Sequence, residues 1–103
     1  MEVTGAIDHE TRCRHYSGRL DRIAIKFYCC GAYFSCIQCH EEYGCGARKI
    51  WPREAFGEKA ILCGSCQTEL TIHTYLTGEN KCPICGEAFN SGCVLHHHLY
   101  FDV

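Results

Sequence analysis

Several features that would place the chain in a large protein class are missing from its sequence. No apolar stretch approaches the length that a membrane-spanning helix needs. The acidic residues 1–10 contain no basic segment followed by an apolar run, so we expect neither a secretory signal nor an arginine-rich presequence. No repeat, low-complexity segment or linker is visible. We therefore expect a cytoplasmic protein with one domain over residues 1–103, divided into lobes at about 11–50 and about 60–101.

A strongly basic surface is also missing. The formal net charge is −2, and no run of lysine or arginine occurs. Thiolates bound to a divalent metal would make the loaded protein more acidic still. Nucleic acid is therefore an unlikely partner, because phosphate neutralisation dominates that affinity. One modest basic patch keeps the alternative open; it consists of Arg12, Arg14, Arg19, Arg22 and Lys26.

Cysteine is what the sequence has in excess, with 11 in 103 residues. Such a density indicates either a disulfide scaffold or a metal scaffold. Paired cysteines in a reducing compartment favour metal, and an odd count fits disulfides poorly. A chain this short buries a modest core, so we expect cross-links to supplement it.

The strongest single pattern is C-x2-C-x15-C-x2-C, formed by Cys63, Cys66, Cys82 and Cys85. This spacing is typical of a tetrahedral zinc site, and four thiolates without an open position make a structural one. Glycines 64 and 86 supply backbone freedom for the tight turns. The alternatives are two unrelated thiol pairs or two redox C-x-x-C motifs, although a thioredoxin-like motif would need a βαβ setting.

The first half of the chain holds eight more candidate ligands, enough for two tetrahedral sites. They are Cys13, His15, Cys29, Cys30, Cys36, Cys39, His40 and Cys45. Adjacent ligands point apart in an extended chain, which favours Cys39 and His40 serving different ions. The preferred partition places Cys13, His15, Cys36 and Cys39 on one zinc, and Cys29, Cys30, His40 and Cys45 on the other. This partition requires the adjacent Cys29 and Cys30 to bind the same ion, which fits that geometry poorly. Cys45 is its weakest member.

Other roles remain open for some of these residues. One of Cys29 and Cys30 could be a buried thiol, and His40 could be a surface histidine. Cys93, His96 and His98 could form a fourth site on a strand, but a buried thiol beside packing histidines is favoured.

The local patterns predict few regular elements. Residues 23–28 are typical of a strand that leads into Cys29. Residues 71–78 predict one or two helical turns, with Thr71 as N-cap and Gly78 as the stop. Pro52 suits the first turn of a short helix. Residues 94–101 predict a final strand.

Taken together, the ligand motifs resemble the CHY-type zinc finger family over about residues 11–101. The motifs are, in order, Cys13-Arg14-His15-Tyr16, Cys29-Cys30, Cys36-x2-Cys39-His40, Cys63-x2-Cys66 and Cys82-x2-Cys85. Three further segments look like those of the stand-alone microbial branch of this family: Trp51-Pro52-Arg53, Ile61-Leu62-Cys63-Gly64 and His96-His97-His98-Leu99-Tyr100-Phe101. Related proteins include RING ubiquitin ligases and a small mitochondrial intermembrane-space helper of import-chaperone assembly.

The resemblance implies three zinc ions in an interleaved arrangement. The fold expected is a small zinc-stabilised α+β domain, rich in loops, with short strands, one or two short helices and several zinc knuckles. One departure concerns Cys45-Gly46, which stands where family members usually carry a histidine. If Cys45 does not replace that histidine, its site would hold zinc weakly or exchange it.

Several functions compete at this point. The first is a monomeric, non-enzymatic binding module for an unknown protein partner, with zinc fixing the fold. Its candidate contact residues, most of which are expected to line the core instead, are Tyr16, Tyr33, Phe34, Tyr43, Trp51 and Phe56. The second is a zinc-handling or thiol-exchange protein with one labile site. A zinc hydrolase or deaminase is disfavoured, because His40-Glu41-Glu42 gives an H-x-E spacing without the accompanying P-C-x-x-C.

Overall fold

A computed structural model describes residues 3–47, 49–90 and 97–102. The described residues form five short strands, two α-helices and a 3-10 helix, with a further 3-10 turn at residues 97–99. The strands are β1 Val3–Thr4, β2 Ile23–Lys26, β3 Tyr33–Phe34, β4 Lys59–Cys63 and β5 Glu69–Thr71. The helices are α1 Ile37–Tyr43, the 3-10 helix Arg53–Ala55 and α2 Ile72–Thr77. These elements confirm the loop-rich α+β class.

All five strands join one sheet in the order β1-β3-β2-β4-β5. The pairing is antiparallel except between β1 and β3. Ile25 of β2 lies opposite Phe34 on one side and Ile61 on the other. The centre of the sheet is therefore built from one strand of each predicted lobe, although the division into lobes itself stays a prediction.

The sheet is covered on both faces. The main core contains Ile25, Phe27, Ile61 and Phe101, each at most 4% exposed. On the other face, Tyr33 packs with Ala24 and Leu62. The Tyr33 hydroxyl donates a 2.8 Å hydrogen bond to Glu69 on the edge strand β5. One aromatic side chain thus ties together strands that are not neighbours.

The strand predicted at residues 23–28 and the helix predicted at 71–78 are both confirmed, as β2 and α2. The Thr71 hydroxyl accepts a 3.1 Å hydrogen bond from the Thr74 amide, and the helix ends before Gly78. Pro52 precedes the 3-10 helix as its capping residue, one position earlier than a first-turn proline. Each of these predictions depended on neighbouring residues in the chain, and the folded structure has an element at each place.

The final strand predicted at residues 94–101 is wrong where the structure describes it; residues 94–96 lie outside the described part. The amides of Tyr100 and Phe101 both donate to the His97 carbonyl, which makes a tight turn. Only Phe101 pairs with another segment, in a single bridge to Trp51. The apolar residues that suggested a strand serve to fill the core from a turn.

Helix α1 was not predicted. Its N-cap is Cys36, whose sulfur accepts a hydrogen bond from the Cys39 amide at 3.4 Å. At the other end, the Gly44 amide donates a hydrogen bond to the His40 carbonyl and closes the last turn. Cysteine is not among the common N-cap residues, so no capping signal is visible before this helix. Within the described residues, neither α-helix has the length and apolarity to cross a bilayer.

Candidate metal centres

The structure brings twelve cysteine and histidine side chains together in three groups of four, with the donor atoms of each group within 4.8 Å of one another. The first, called the buried cluster, contains Cys13, His15, Cys36 and Cys39. The second, called the exposed cluster, contains Cys29, Cys30, His40 and Cys45. The third, called the four-thiol cluster, contains Cys63, Cys66, Cys82 and Cys85. This grouping matches the preferred partition.

The buried cluster joins the loop that carries Cys13 and His15 to the start of α1. The Cys36 sulfur lies 3.6 Å from the sulfurs of both Cys13 and Cys39. Nδ1 of His15 lies 3.4 Å from Cys36 and 3.6 Å from Cys39. All three thiols are at most 4% exposed.

The exposed cluster joins the turn between β2 and β3 to the end of α1. Nε2 of His40 lies 3.2 Å from the Cys29 sulfur, 3.8 Å from Cys30 and 3.7 Å from Cys45. The imidazole itself is buried and stacks on Phe27 at 4.2 Å between ring centroids. Cys30 and Cys45, however, are exposed.

The four-thiol cluster is built from two equivalent turns. After the first cysteine of each pair, the amide four residues on donates to its carbonyl: Gln67 to Cys63 at 2.8 Å, and Gly86 to Cys82 at 2.9 Å. Both donors have positive φ, so the glycine predicted for backbone freedom at position 86 serves that purpose. Gly64 has a different reason, since a Cβ there would lie 2.0 Å from the Glu10 carbonyl oxygen.

These distances fit tetrahedral zinc. Zinc–sulfur bonds of about 2.3 Å place two sulfurs of a tetrahedron about 3.8 Å apart, and a sulfur and an imidazole nitrogen about 3.5 Å apart. The four-thiol cluster has sulfur separations of 3.8 Å for both Cys63–Cys85 and Cys66–Cys82. A disulfide bond would require about 2.05 Å. The ten cysteines that the structure describes are all free thiols. The three clusters therefore fit three zinc ions.

The buried and exposed clusters each combine cysteine with histidine and are together called the mixed clusters; helix α1 lies between them and supplies side chains to both. Cys39 belongs to the buried cluster and His40 to the exposed cluster, as the sequence predicted. The chain is helical at these two residues, however, and not extended as predicted. Consecutive residues on a helix point about 100° apart, which separates the two side chains equally well.

The thiols of the four-thiol cluster differ in their acidity in the metal-free protein. Burial raises the pKa of Cys63 to about 12. A hydrogen bond from the Thr68 side chain lowers the pKa of Cys66 to about 7. Burial likewise raises the pKa of Cys36 in the buried cluster. Since zinc binds thiolates, loading must displace protons from the buried sulfurs.

The possible fourth site cannot be placed, because Cys93 and His96 lie outside the described residues. Of the aromatic candidates for a contact surface, Tyr33, Phe34 and Trp51 are buried, and Tyr16 and Phe56 pack against the core. Tyr43 is 58% exposed. Most of the set thus lines the core, as expected.

The basic patch is largely compensated by acidic side chains. Arg12 contacts Asp8 and Glu10, and the buried Arg22 pairs with Glu87 at 2.9 Å. In the H-x-E spacing, Glu42 lies against His15 of the buried cluster, while His40 faces the sulfurs of its own cluster. Neither arrangement resembles the site that its sequence pattern suggested.

Comparison with known proteins gives consistent matches. The model of the CHY zinc finger family matches residues 13–92. A protein of Kluyveromyces lactis named Helper of Tim protein 13 is 36% identical over 92% of this chain and 82% of its own length. Its namesake in Saccharomyces cerevisiae is 37% identical, over 93% and 85% respectively. An uncharacterised protein of Schizosaccharomyces pombe is 32% identical over 93% and 84%. No solved structure matches the chain.

Proposed function

Because the chain belongs to the CHY zinc finger family, we propose that it is a zinc-stabilised module that binds a protein partner and catalyses no reaction. One observation carries this proposal. Each of the three clusters supplies four sulfur or imidazole donors, so a tetrahedral zinc ion would have no open position for a substrate or an activated water. The zinc ions then have a structural role.

The proposal assigns a ligand role to every member of the clusters. The twelve ligands are Cys13, His15, Cys29, Cys30, Cys36, Cys39, His40, Cys45, Cys63, Cys66, Cys82 and Cys85. Replacing one of them by serine should remove one zinc ion from the protein. Native mass spectrometry of each variant checks this, with Ser65→Ala as the control in the same loop. Three bound ions in the Cys45→Ser variant would remove Cys45 from the set.

A protein partner is supported by the relatives, two of which are named as helpers of a Tim protein. The surface of this chain also carries isolated apolar side chains that a partner could cover. Ile84, 64% exposed, lies between two ligands of the four-thiol cluster, and Tyr43, 58% exposed, lies at the end of α1. Titration of the purified chain with purified Tim proteins tests the assignment. Binding that Tyr43→Ser and Ile84→Ser weaken supports it, whereas no binding to any Tim protein contradicts it.

A second candidate function is zinc handling, and the exposure of one cluster favours it. Cys30 and Cys45 are exposed, so an incoming thiolate or chelator could reach an ion held there. The four-thiol cluster has one exposed thiol, Cys85, and the three thiols of the buried cluster are at most 4% exposed. A moderate chromogenic chelator should therefore remove one ion quickly and leave two. If all three ions resist the chelator equally, this second function fails and the structural role stands.

The predicted cytoplasmic location gains no support from the comparisons and stays a prediction, as does the monomeric state. Fractionation of cells that express the tagged chain would test the location, and light scattering would test the oligomeric state.

A further inference from the structure

The two histidines of the mixed clusters are oriented by different surroundings. His40 is 3% exposed, lies parallel to Phe27 and meets the edge of Phe34 at 5.0 Å between centroids. His15 lies in a loop, and its side chain is 16% exposed. Packing alone therefore fixes the first imidazole more completely than the second.

A carboxylate lies on the outer nitrogen of His15. Nδ1 of this ring faces the sulfurs of Cys36 and Cys39. Nε2, on the far side, lies 2.6 Å from Oε1 of Glu42. Because a metal-ligating nitrogen must be unprotonated, the other ring nitrogen carries the hydrogen and donates it to the carboxylate.

Glu42 is itself held in place. Its second carboxylate oxygen forms an ion pair with Arg14, the residue before His15. Glu42 stands three residues after Cys39 on α1, so both side chains lie on one side of the helix. The helix that supplies Cys36 and Cys39 thus also supplies the contact to the histidine opposite them.

We propose that Glu42 is the positioning residue of the buried cluster, and this rests on the proposed zinc site there. By accepting the Nε2 hydrogen, Glu42 fixes the tautomer in which Nδ1 presents its lone pair to zinc. Its negative charge also makes the imidazole a stronger donor. Arg14 keeps the carboxylate from turning into solvent. The family pattern of cysteines and histidines contains no such residue.

Three variants separate this role from a general effect on the helix. Glu42→Ala removes the carboxylate, and Glu42→Gln keeps an acceptor oxygen without the charge. Glu41→Ala makes the same truncation at the neighbouring, exposed position of α1. Loss of an outer-sphere partner typically weakens metal affinity about 10–100-fold. We expect that loss at the buried cluster for Glu42→Ala, a smaller loss for Glu42→Gln and none for Glu41→Ala.

The readout has to identify the cluster that loses its ion. Nitrogen-15 spectra of labelled histidine report the His15 and His40 rings separately, while native mass spectrometry counts ions during chelator competition. In Glu42→Ala, the ring signal of His15 should change at lower chelator concentration than in the parent protein, and that of His40 should not. The parent spectrum should show Nδ1 of His15 bound and Nε2 protonated.

Three results would overturn the proposal. One is Nε2 of His15 being the bound nitrogen in the parent protein. Another is equal zinc retention by Glu42→Ala and Glu41→Ala. A third is equal loss from both mixed clusters in Glu42→Ala, which would indicate general destabilisation. A parent protein with no zinc would instead contradict the proposed function, so the two failures are distinguishable.

Discussion

Among single residues, two thiols of the four-thiol cluster differ in how easily they lose a proton. Cys63 is 0% exposed at the end of β4, and burial raises its pKa to about 12. Cys66, three residues later, accepts a hydrogen bond from Thr68 that lowers its pKa to about 7. At neutral pH the Cys63 thiol is therefore protonated in the metal-free chain, and it releases its proton to solvent when zinc binds the sulfur.

This difference predicts a break in the pH dependence of zinc affinity at the four-thiol cluster. Below the pKa of Cys66, zinc must displace a proton from this thiol as well as from Cys63. Above it, Cys66 is already a thiolate, whereas Cys63 still releases a proton. The logarithm of the affinity should therefore rise with pH more steeply, by one proton, below the Cys66 pKa than above it.

Chelator competition at a series of pH values measures this slope. Thr68→Val keeps the side-chain volume and removes the hydrogen bond, so it should move the break to higher pH. A single constant slope across the range in both proteins would contradict the assignment.

At the scale of elements, the end of α1 is a point of close packing. Gly44 closes the helix, and a Cβ at this position would lie 2.4 Å from the His40 carbonyl oxygen and 2.6 Å from its ring. The glycine has a negative φ of −89°, so sterics and not backbone preference require it. The end of α1 at Gly44 therefore packs directly against His40, a member of the exposed cluster.

Gly44→Ala should displace the His40 ring and weaken the exposed cluster. Overpacking of this kind costs about 1–3 kcal/mol. We expect a lower midpoint of thermal unfolding and faster loss of one zinc ion to a chelator. Gly57→Ala is the matched control, because nothing lies within 4 Å of a Cβ built there. Equal behaviour of the two variants would show that the contact at Gly44 relaxes without cost.

The contribution of one side chain to the stability of the sheet can be tested at Tyr33. Its ring lies with Ala24 and Leu62, and its hydroxyl donates to Glu69. Tyr33→Phe keeps the ring and removes the hydrogen bond, which should lower the free energy of unfolding by about 1 kcal/mol. Glu69→Gln, which keeps an acceptor oxygen, should cost less. Urea denaturation measures both, and an unchanged free energy in Tyr33→Phe would show that water replaces the bond.

Elements whose signals lie in the chain itself were predictable, and elements formed by contacts were not. The helix at α2 has a threonine cap and a glycine stop, both visible in the sequence. Helix α1 is capped by a cysteine that also belongs to a cluster, so its start depends on the folded site. Residues 97–101 carry strand-forming side chains, but the turn at His97 is fixed by the contact of Phe101 with Trp51.

In the candidate site, too, some features could be predicted from the sequence and others depend on contacts in the folded chain. Spacing and the divergence of adjacent side chains were enough to predict which residues group together. The imidazole nitrogens that face the sulfurs, Nδ1 in His15 and Nε2 in His40, depend on ring orientation in three dimensions. The contact of Glu42 with His15 joins residues 27 positions apart, and no spacing rule indicates it.

At the scale of the whole molecule, the sheet connects the clusters. Cys63 ends β4, and β4 pairs with β2, which leads into the turn that carries Cys29 and Cys30. The buried Gly64 amide also donates to the Arg22 carbonyl at 2.6 Å. Loss of the four-thiol cluster should therefore destabilise the first half of the chain as well.

Cys63→Ser should accordingly remove one zinc ion and destabilise the sheet as a whole. We expect one unfolding transition at a lower temperature, observed together by far-UV circular dichroism and by the histidine ring signals of the other two clusters. Ser65→Ala in the same loop should leave the transition unchanged. Unfolding confined to residues 60–101, with His15 and His40 unaffected, would favour the two lobes as separate folding units.

The folded state as a whole depends on zinc held by sulfur and imidazole in the three clusters. Native mass spectrometry of the intact chain, purified without chelator, tests it most directly when thiol counting follows under denaturing conditions. We expect three zinc ions per chain and 11 free thiols once the metal is removed. A metal-free chain whose cysteines are joined in disulfides would contradict it.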